Sequence, residues 1–336
     1  MKKIIFLLIT LFIVFTYSCG HLQENSYDND SVYHTSSVSD NEFVSQDDIS
    51  FLEEEEKQEI SEESVIQRIT VYPENITAES AFAYCLDSQH FAYEKNTAEK
   101  INPASITKLL TVLYALEIAP KELEITVGDE LNLLQPYSSV AGIKYGIKYT
   151  LEQLIIAMLL PSGNDAAYSV AAAAARYATQ QDLSGREAVD WFISNMNDYA
   201  VQLGCTDTHF TLPDGLAYED HYTTASDLII IAKNALNNEV ISKYIALSEF
   251  SFTTESGDEY FWKNTNAHLH DESPYYIECV TGMKTGSLGK YSLLVSAKIN
   301  EKTYIIGVLG AASHNERYEN STDIINALLD AEKEHE

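Results

Sequence analysis

The chain has 336 residues, 45% of them hydrophobic, enough to bury a substantial core once a special N-terminal segment is set aside. Its 21 basic and 51 acidic residues leave a formal net charge of -30. That balance excludes the clustered Lys and Arg that phosphate binding needs, so no nucleic-acid partner is expected.

Residues Met1-Lys2-Lys3 and the apolar run Ile4 to Tyr17 have the basic start and short hydrophobic core of a signal peptide, so export is expected. The next residues, Thr16-Tyr17-Ser18-Cys19, resemble a bacterial lipoprotein cleavage box, in which Cys19 would become the lipidated first residue of a membrane-anchored chain. Soluble secretion and an uncleaved anchor are the alternatives. Residues 20–65 are polar and acidic, with the run Glu53-Glu54-Glu55-Glu56 against Lys57; they lack apolar periodicity and are expected to form a disordered tether. The folded domain is expected over residues 66–336. No disulfide framework is implied by Cys85, Cys205 and Cys279, which read as small buried hydrophobes, with a Cys85–Cys279 bridge left open.

Within that domain, Ser80 to Leu86 and Phe91 to Tyr93 around the Asp87-Ser88 turn predict a hairpin. Ala104 to Ala119 is apolar around nearly its whole circumference and predicts a central buried helix. Thr150-Leu-Glu-Gln153 is a capping-box pattern opening a helix from Leu151 to Leu160, stopped by Pro161-Ser162-Gly163. Further helices are expected over about 165–177, about 186–203 closed by Gly204, and after Thr224 with Asp227 as cap. Val280 to Ser287, Tyr291 to Ile299 and Tyr304 to Ala311 read as strands, before a last helix over about 320–331. Strands at both ends around a helical middle predict an α+β fold, an antiparallel sheet flanked by helices plus a helical subdomain.

Three short sequences carry the chemistry through their order and settings: Ser105-Ile-Thr-Lys108 at a helix start, Ser162-Gly-Asn164 between helices, and Lys284-Thr-Gly286 in a strand. The i, i+3 spacing puts Ser105 and Lys108 on one helix face, so the amine can reach the hydroxyl. Lys108 lies in an apolar helix, where desolvation favours its neutral, proton-accepting form, and a nearby Lys284 would push the same way. A neutral Lys can activate Ser, and the helix N-terminus can stabilise a developing oxyanion. His268, His270 and the other histidines form no ligand pattern, so no metal site and no cofactor are expected, and Lys302 and Arg317 read as surface charges.

This motif set resembles that of the low-molecular-mass D-alanyl-D-alanine carboxypeptidases, which are penicillin-binding proteins. The likeness extends through Asn102-Pro-Ala-Ser-Ile-Thr-Lys-Leu109, Leu159-Leu-Pro-Ser-Gly-Asn-Asp-Ala166, His209-Phe-Thr-Leu-Pro-Asp-Gly-Leu216, Asn264-Thr-Asn266 and Gly282-Met-Lys-Thr-Gly286, in the family's order. The resemblance implies a penicillin-binding protein/β-lactamase-like fold and hydrolysis of peptidoglycan stem peptides ending in D-Ala-D-Ala. It also implies that β-lactams act as covalent inhibitors. Ser105 would attack the penultimate D-alanine carbonyl, Lys108 would take its proton, and Ser162 would relay a proton to the departing amine. Asn164 would hold the substrate amide, and Lys284 and Thr285 the terminal carboxylate. Gly286 would let substrate backbone lie along the strand, and the N–H groups of Ser105 and Ser287 would form the oxyanion hole.

The chain departs from the family at Leu212, where Asn is common, and in the short stretch Ser287-Leu-Gly-Lys290. The extra C-terminal β domain and anchor of many relatives are expected to be absent, with N-terminal anchoring in their place. Endopeptidase or transpeptidase outcomes and a β-lactam-binding sensor remain as alternatives. A class A β-lactamase would need a deacylating Glu that Ser194-Asn-Met-Asn-Asp-Tyr199 lacks.

Overall fold

The computed structural model describes residues 68–217 and 219–334. The expected signal segment, Cys19 and the acidic tether lie outside the described residues. The described residues fall within one compact unit. Among the described residues, no helix is long and apolar enough to cross a membrane.

The sheet is built from both ends of this unit. Strands β1 (Ser80–Cys85) and β2 (His90–Lys95) form the expected hairpin, and β7 (Val280–Leu288), β8 (Lys290–Ile299) and β9 (Lys302–Ala311) follow late in the chain. All five pair antiparallel in the order β2-β1-β9-β8-β7, which leaves β7 at one edge. Leu294, Ile305 and Leu309 join the large apolar core shared with the helices, whereas Leu293, Val295, Ile306 and Val308 join a second core with Tyr318, Ile325 and Leu328. The consecutive apolar residues Leu293-Leu294-Val295 of β8 and Tyr304-Ile305-Ile306 of β9 thus reflect burial of both sheet faces, where an antiparallel sheet commonly leaves one face wet.

The helical subdomain comprises α1 (Lys108–Ile118), α2 (Leu151–Leu159), α3 (Asn164–Thr179), α4 (Gly185–Leu203), α5 (Ala225–Asn237) and the short α6 (Glu239–Ile245). The Thr150–Gln153 capping box forms with both its bonds, a device that contributes about 1 kcal/mol. The predicted helix from Ala104 begins instead as a 3-10 turn, Ala104–Thr107, and becomes α-helical only at Lys108. The α5 cap is Thr224, whose hydroxyl accepts from the Asp227 N–H. Asp227 uses its carboxylate to accept from the Asp207 N–H and the Thr208 hydroxyl.

The last helix, α7, runs His314–Lys333 and starts well before the expected position, because Ser313 caps it by accepting from the Glu316 N–H. Two small two-stranded sheets escaped the sequence reading: β3 (Glu124–Thr126) with β4 (Lys148–Thr150), and the hairpin of β5 (Glu249–Thr253) with β6 (Glu259–Lys263). Cys85, Cys205 and Cys279 are free thiols, so the bridge left open by sequence is not formed.

Candidate active site

Two left-handed residues sit at the centre of the site. Ala104 (φ +49°) opens the 3-10 turn and Ser162 (φ +63°) lies in the α2–α3 connection. Each such non-glycine conformation costs about 1–3 kcal/mol, which the surrounding packing must sustain. Strand β7 lies directly against the Ala104 turn: a Cβ on Gly286 would stand 2.3 Å from the Pro103 carbonyl oxygen. Gly286 is therefore required by contact within the fold. On the other side Gly215 (φ +80°) lets the 209–216 stretch approach, since a Cβ there would meet the Ala104 oxygen at 2.0 Å.

The turn carries Ser105 onto the face of Lys108. Lys108 Nζ lies 2.8 Å from Ser105 Oγ, 2.9 Å from Asn164 Oδ1 and 2.8 Å from the Asp214 carbonyl oxygen. Two of these partners are pure acceptors. A neutral amine has two N–H donors and one lone pair, so with Asn164 and Asp214 taking the hydrogens the lone pair is left facing the Ser105 hydroxyl. Lys108 is fully buried, and burial brings its pKa down to about 8 against the opposing pull of the Asp214 and Asp165 charges.

Asn164 and Asp165 open α3, and Asp165 clamps the preceding loop. Its carboxylate accepts from the N–H groups of Ala141, Gly142 and Ile143, each at 2.8 Å, while the Asn164 N–H donates to the Ser139 carbonyl at 2.7 Å. Trp262 and Tyr260 of β6 donate to the carbonyls of Ala141 and Gly142, so the unforeseen hairpin holds the same loop.

Behind the turn, the Thr211 N–H donates to His221 Nδ1, which puts the imidazole proton on Nε2, 2.8 Å from Thr107 Oγ1. Burial lowers this histidine to a pKa of about 3, with His209 adding to the shift, and the ring stacks on Phe210. It is a fixed neutral strut.

A cavity of about 290 Å³ opens over Ser105 and is lined by Ser139, Ser162, Thr265, Thr285, Ser287, His314 and Arg317. A larger groove of about 510 Å³ on the β5–β6 hairpin is lined by no lysine or histidine that could activate its hydroxyls as Lys108 does Ser105, so chemistry rather than size identifies the site. Of the residues expected from sequence, Ser105, Lys108, Ser162, Asn164, Thr285, Gly286 and Ser287 come together here.

Lys284 is different. It is fully buried, its Nζ donates to the Thr285 carbonyl at 3.2 Å, and it does not line the cavity. Burial, then Lys108 and Arg317, hold its pKa well below the usual lysine range. The mutual repulsion expected to depress Lys108 thus falls on Lys284.

The cation that does line the cavity is Arg317, which is buried rather than a surface charge. Its Nη1 donates to Ser287 Oγ at 3.1 Å and to the carbonyls of Gly286 and Ser292 at 3.3 and 3.4 Å. The sequence signal for Arg317 is its i, i+3 spacing from His314, which puts both on one face only of a helix that starts at the Ser313 cap. Thr265 is held at Thr285, with their hydroxyls 2.6 Å apart, and its carbonyl accepts from Tyr318 at 2.9 Å.

A family model described as D-alanyl-D-alanine carboxypeptidase matches residues 67–313. The chain is 31% identical over 265 residues to the D-alanyl-D-alanine carboxypeptidase DacF of Bacillus subtilis, covering 77% of this chain and 64% of that one. It is also 31% identical over 249 residues to a D-alanyl-D-alanine carboxypeptidase of Streptomyces sp. strain K15, covering 70% of this chain and 81% of that one. The solved Streptomyces K15 DD-transpeptidase superposes with a TM-score of 0.69 at 28% identity, covering 76% of this chain and 98% of that one. By motif order, fold and sequence match alike, this chain belongs to the D-alanyl-D-alanine carboxypeptidase family.

Proposed function

We propose that the protein is a penicillin-binding serine hydrolase that removes the terminal D-alanine from peptidoglycan stem peptides. The carrying observation is the Lys108 amine, buried, brought toward neutrality and 2.8 Å from Ser105 Oγ. In acylation the Ser105 oxygen bonds to the penultimate D-alanine carbonyl as its proton passes to Lys108. The C–N bond to the terminal D-alanine then breaks, with Ser162 relaying a proton to the departing amine. Water hydrolyses the ester and frees Ser105.

Asn164 has a double task, positioning the amine through Oδ1 and offering its amide group to substrate. The N–H groups of Ser105 and Ser287 serve as the oxyanion hole, a reading supported by the packing of β7 on the nucleophile turn. Recognition of the substrate carboxylate falls to Arg317 with the hydroxyls of Thr265, Thr285 and Ser287, because Arg317 keeps its charge and faces the cavity. Lys284, held toward its neutral form with its buried amine on the Thr285 carbonyl, acts indirectly. β-Lactams acylate the same serine.

Release of free D-alanine from a peptide ending in D-Ala-D-Ala, measured by amino-acid analysis, tests the reading. Labelling by a fluorescent penicillin without D-alanine release would favour the sensor alternative. A cross-linked product in place of free acid would favour transpeptidation, the activity named for the Streptomyces K15 structure.

The enzyme works outside the cytoplasm, anchored to the membrane through a lipidated Cys19. Intact-mass analysis of the membrane form decides that part: an N-terminus downstream of Cys19 without lipid mass means secretion instead.

A further inference from the structure

Asp214 does two things at once in the stretch that crosses the nucleophile turn. Its backbone carbonyl is one of the acceptors of Lys108, at 2.8 Å, and lies 3.4 Å from Ser105 Oγ. Its carboxylate is fully buried; one oxygen accepts from the Leu216 N–H at 3.0 Å, and the other has no hydrogen-bond partner among the described residues. Nor does it form an ion pair within 4.0 Å of a basic side chain among them. A half-satisfied buried carboxylate is costly, and an apolar or amide side chain would fill the same space more cheaply. The charge is therefore the feature that needs a use.

The charged and titratable groups around it come from every neighbouring element. Lys108 on α1 feels the Asp214 charge most directly, and Tyr168 on α3 feels it as well. Arg186 and Asp190 on α4 act on that tyrosine with opposite signs. Asp165 on α3 adds a second negative charge toward Lys108. Lys284 on β7 is set against Lys108 and against Arg317 on α7.

We propose that Asp214 is a positioning residue for acylation, whose buried carboxylate is the counter-charge of Lys108 and sets the pH range in which that amine accepts the Ser105 proton. The proposal rests on the reading of Ser105 as nucleophile and Lys108 as base. When the Ser105 proton moves to Lys108, the buried Asp214 carboxylate favours the positive charge that forms there, because its own charge raises the affinity of that amine for protons. Burial alone would make Lys108 neutral but too weak a base; the carboxylate restores its affinity for the proton. Consistent with this, burial holds the Asp214 pKa above its ordinary value while Lys108 pulls it back. Gly215, at φ +80°, presses this segment onto Ala104 and so holds the carbonyl at the amine.

The test is the pH dependence of acylation by a β-lactam, followed by stopped flow. Asp214→Asn preserves volume and an acceptor for the Leu216 N–H but removes the charge. Its acidic limb should move to lower pH by about one unit or more, with a lower plateau from the weaker base. A profile scaled down with its limb unmoved, as a purely structural role would give, overturns the proposal, and so does a limb moved to higher pH. If Asp214→Asn does not fold, Asp214→Ser reads the same limb with a smaller neutral acceptor. Lys108→Ala in the same assay separates the two readings. Retained acylation there sinks the base assignment, whereas lost acylation together with an unmoved limb in Asp214→Asn sinks only the role of Asp214.

Discussion

The helical side of the cavity and its sheet side are assembled in different ways. On the helical side Ser105 and Lys108 are three residues apart on one continuous turn, and two added contacts, Asn164 Oδ1 and the Asp214 carbonyl, complete the donor arrangement of the amine. On the sheet side the working surface is put together from distant segments: Ser287 lies 30 residues from Arg317, and Thr265 lies 20 from Thr285. Local spacing can encode a nucleophile and its base because a helix turn brings i and i+3 together by geometry alone. It cannot encode which of two cations, Lys284 or Arg317, reaches the cavity, because that depends on which elements cover them.

The comparison is tested first where the effect is largest. Ser105→Ala should abolish labelling by a fluorescent penicillin and reduce turnover by on the order of a million-fold, since no other hydroxyl in the cavity faces a lysine amine. Stoichiometric labelling of that variant at another serine would move the nucleophile off the helical side.

The sheet side is probed by charge. Arg317→Ala should lose about 1.5–3 kcal/mol of acylation efficiency, on the order of tenfold to a hundredfold, with a substrate bearing a free terminal carboxylate, and much less with its ester. Lys284→Ala should impair acid and ester alike, because its buried amine is held on the Thr285 carbonyl and is not part of the cavity lining. A selective loss on the acid in Lys284→Ala, with none in Arg317→Ala, would reverse the two assignments.

The junction between the two sides is tested by Gly286→Ala. The added methyl would enter the space of the Pro103 oxygen and force β7 off the nucleophile turn, costing about 1–3 kcal/mol of stability. Thermal unfolding reads this directly, and an unchanged midpoint would mean that the sheet side is not braced against the turn.

The smallest expected effect is a pH dependence of stability from buried histidines. His221 and His268 have folded pKa values lowered by burial from 6.5 to about 3 and about 4. The unfolded chain therefore takes up protons first as pH falls. Their contribution is fully present above about pH 6.5 and is lost as pH drops toward the folded values. His221→Gln should flatten part of the decline in unfolding midpoint between pH 6.5 and pH 4, and an identical slope would show that the strut does not titrate on unfolding.

Much of the fold was legible because its signals are periodic and local. The Thr150–Gln153 capping box, the apolar circumference of α1 and the runs of β8 and β9 each report an environment that a few neighbouring residues specify. The β5–β6 hairpin was missed for the opposite reason. Its alternation is only half buried, and its Trp262 and Tyr260 find their purpose in carbonyls of the distant 141–142 loop.

By itself, then, the sequence determined the antiparallel sheet drawn from both ends of the domain, the helical middle, and a serine and lysine sharing one turn, because backbone periodicity and helix spacing fix these within a few residues. Only the tertiary structure decided the rest. Burial is a property of the assembled protein: it brings Lys108 toward neutrality, encloses Lys284 with its amine on the Thr285 carbonyl, turns Arg317 from an apparent surface charge into a cation of the cavity lining, and leaves the Asp214 carboxylate enclosed. Electrostatic character depends on distance and dielectric across segments far apart in the chain, and neither can be read from their order.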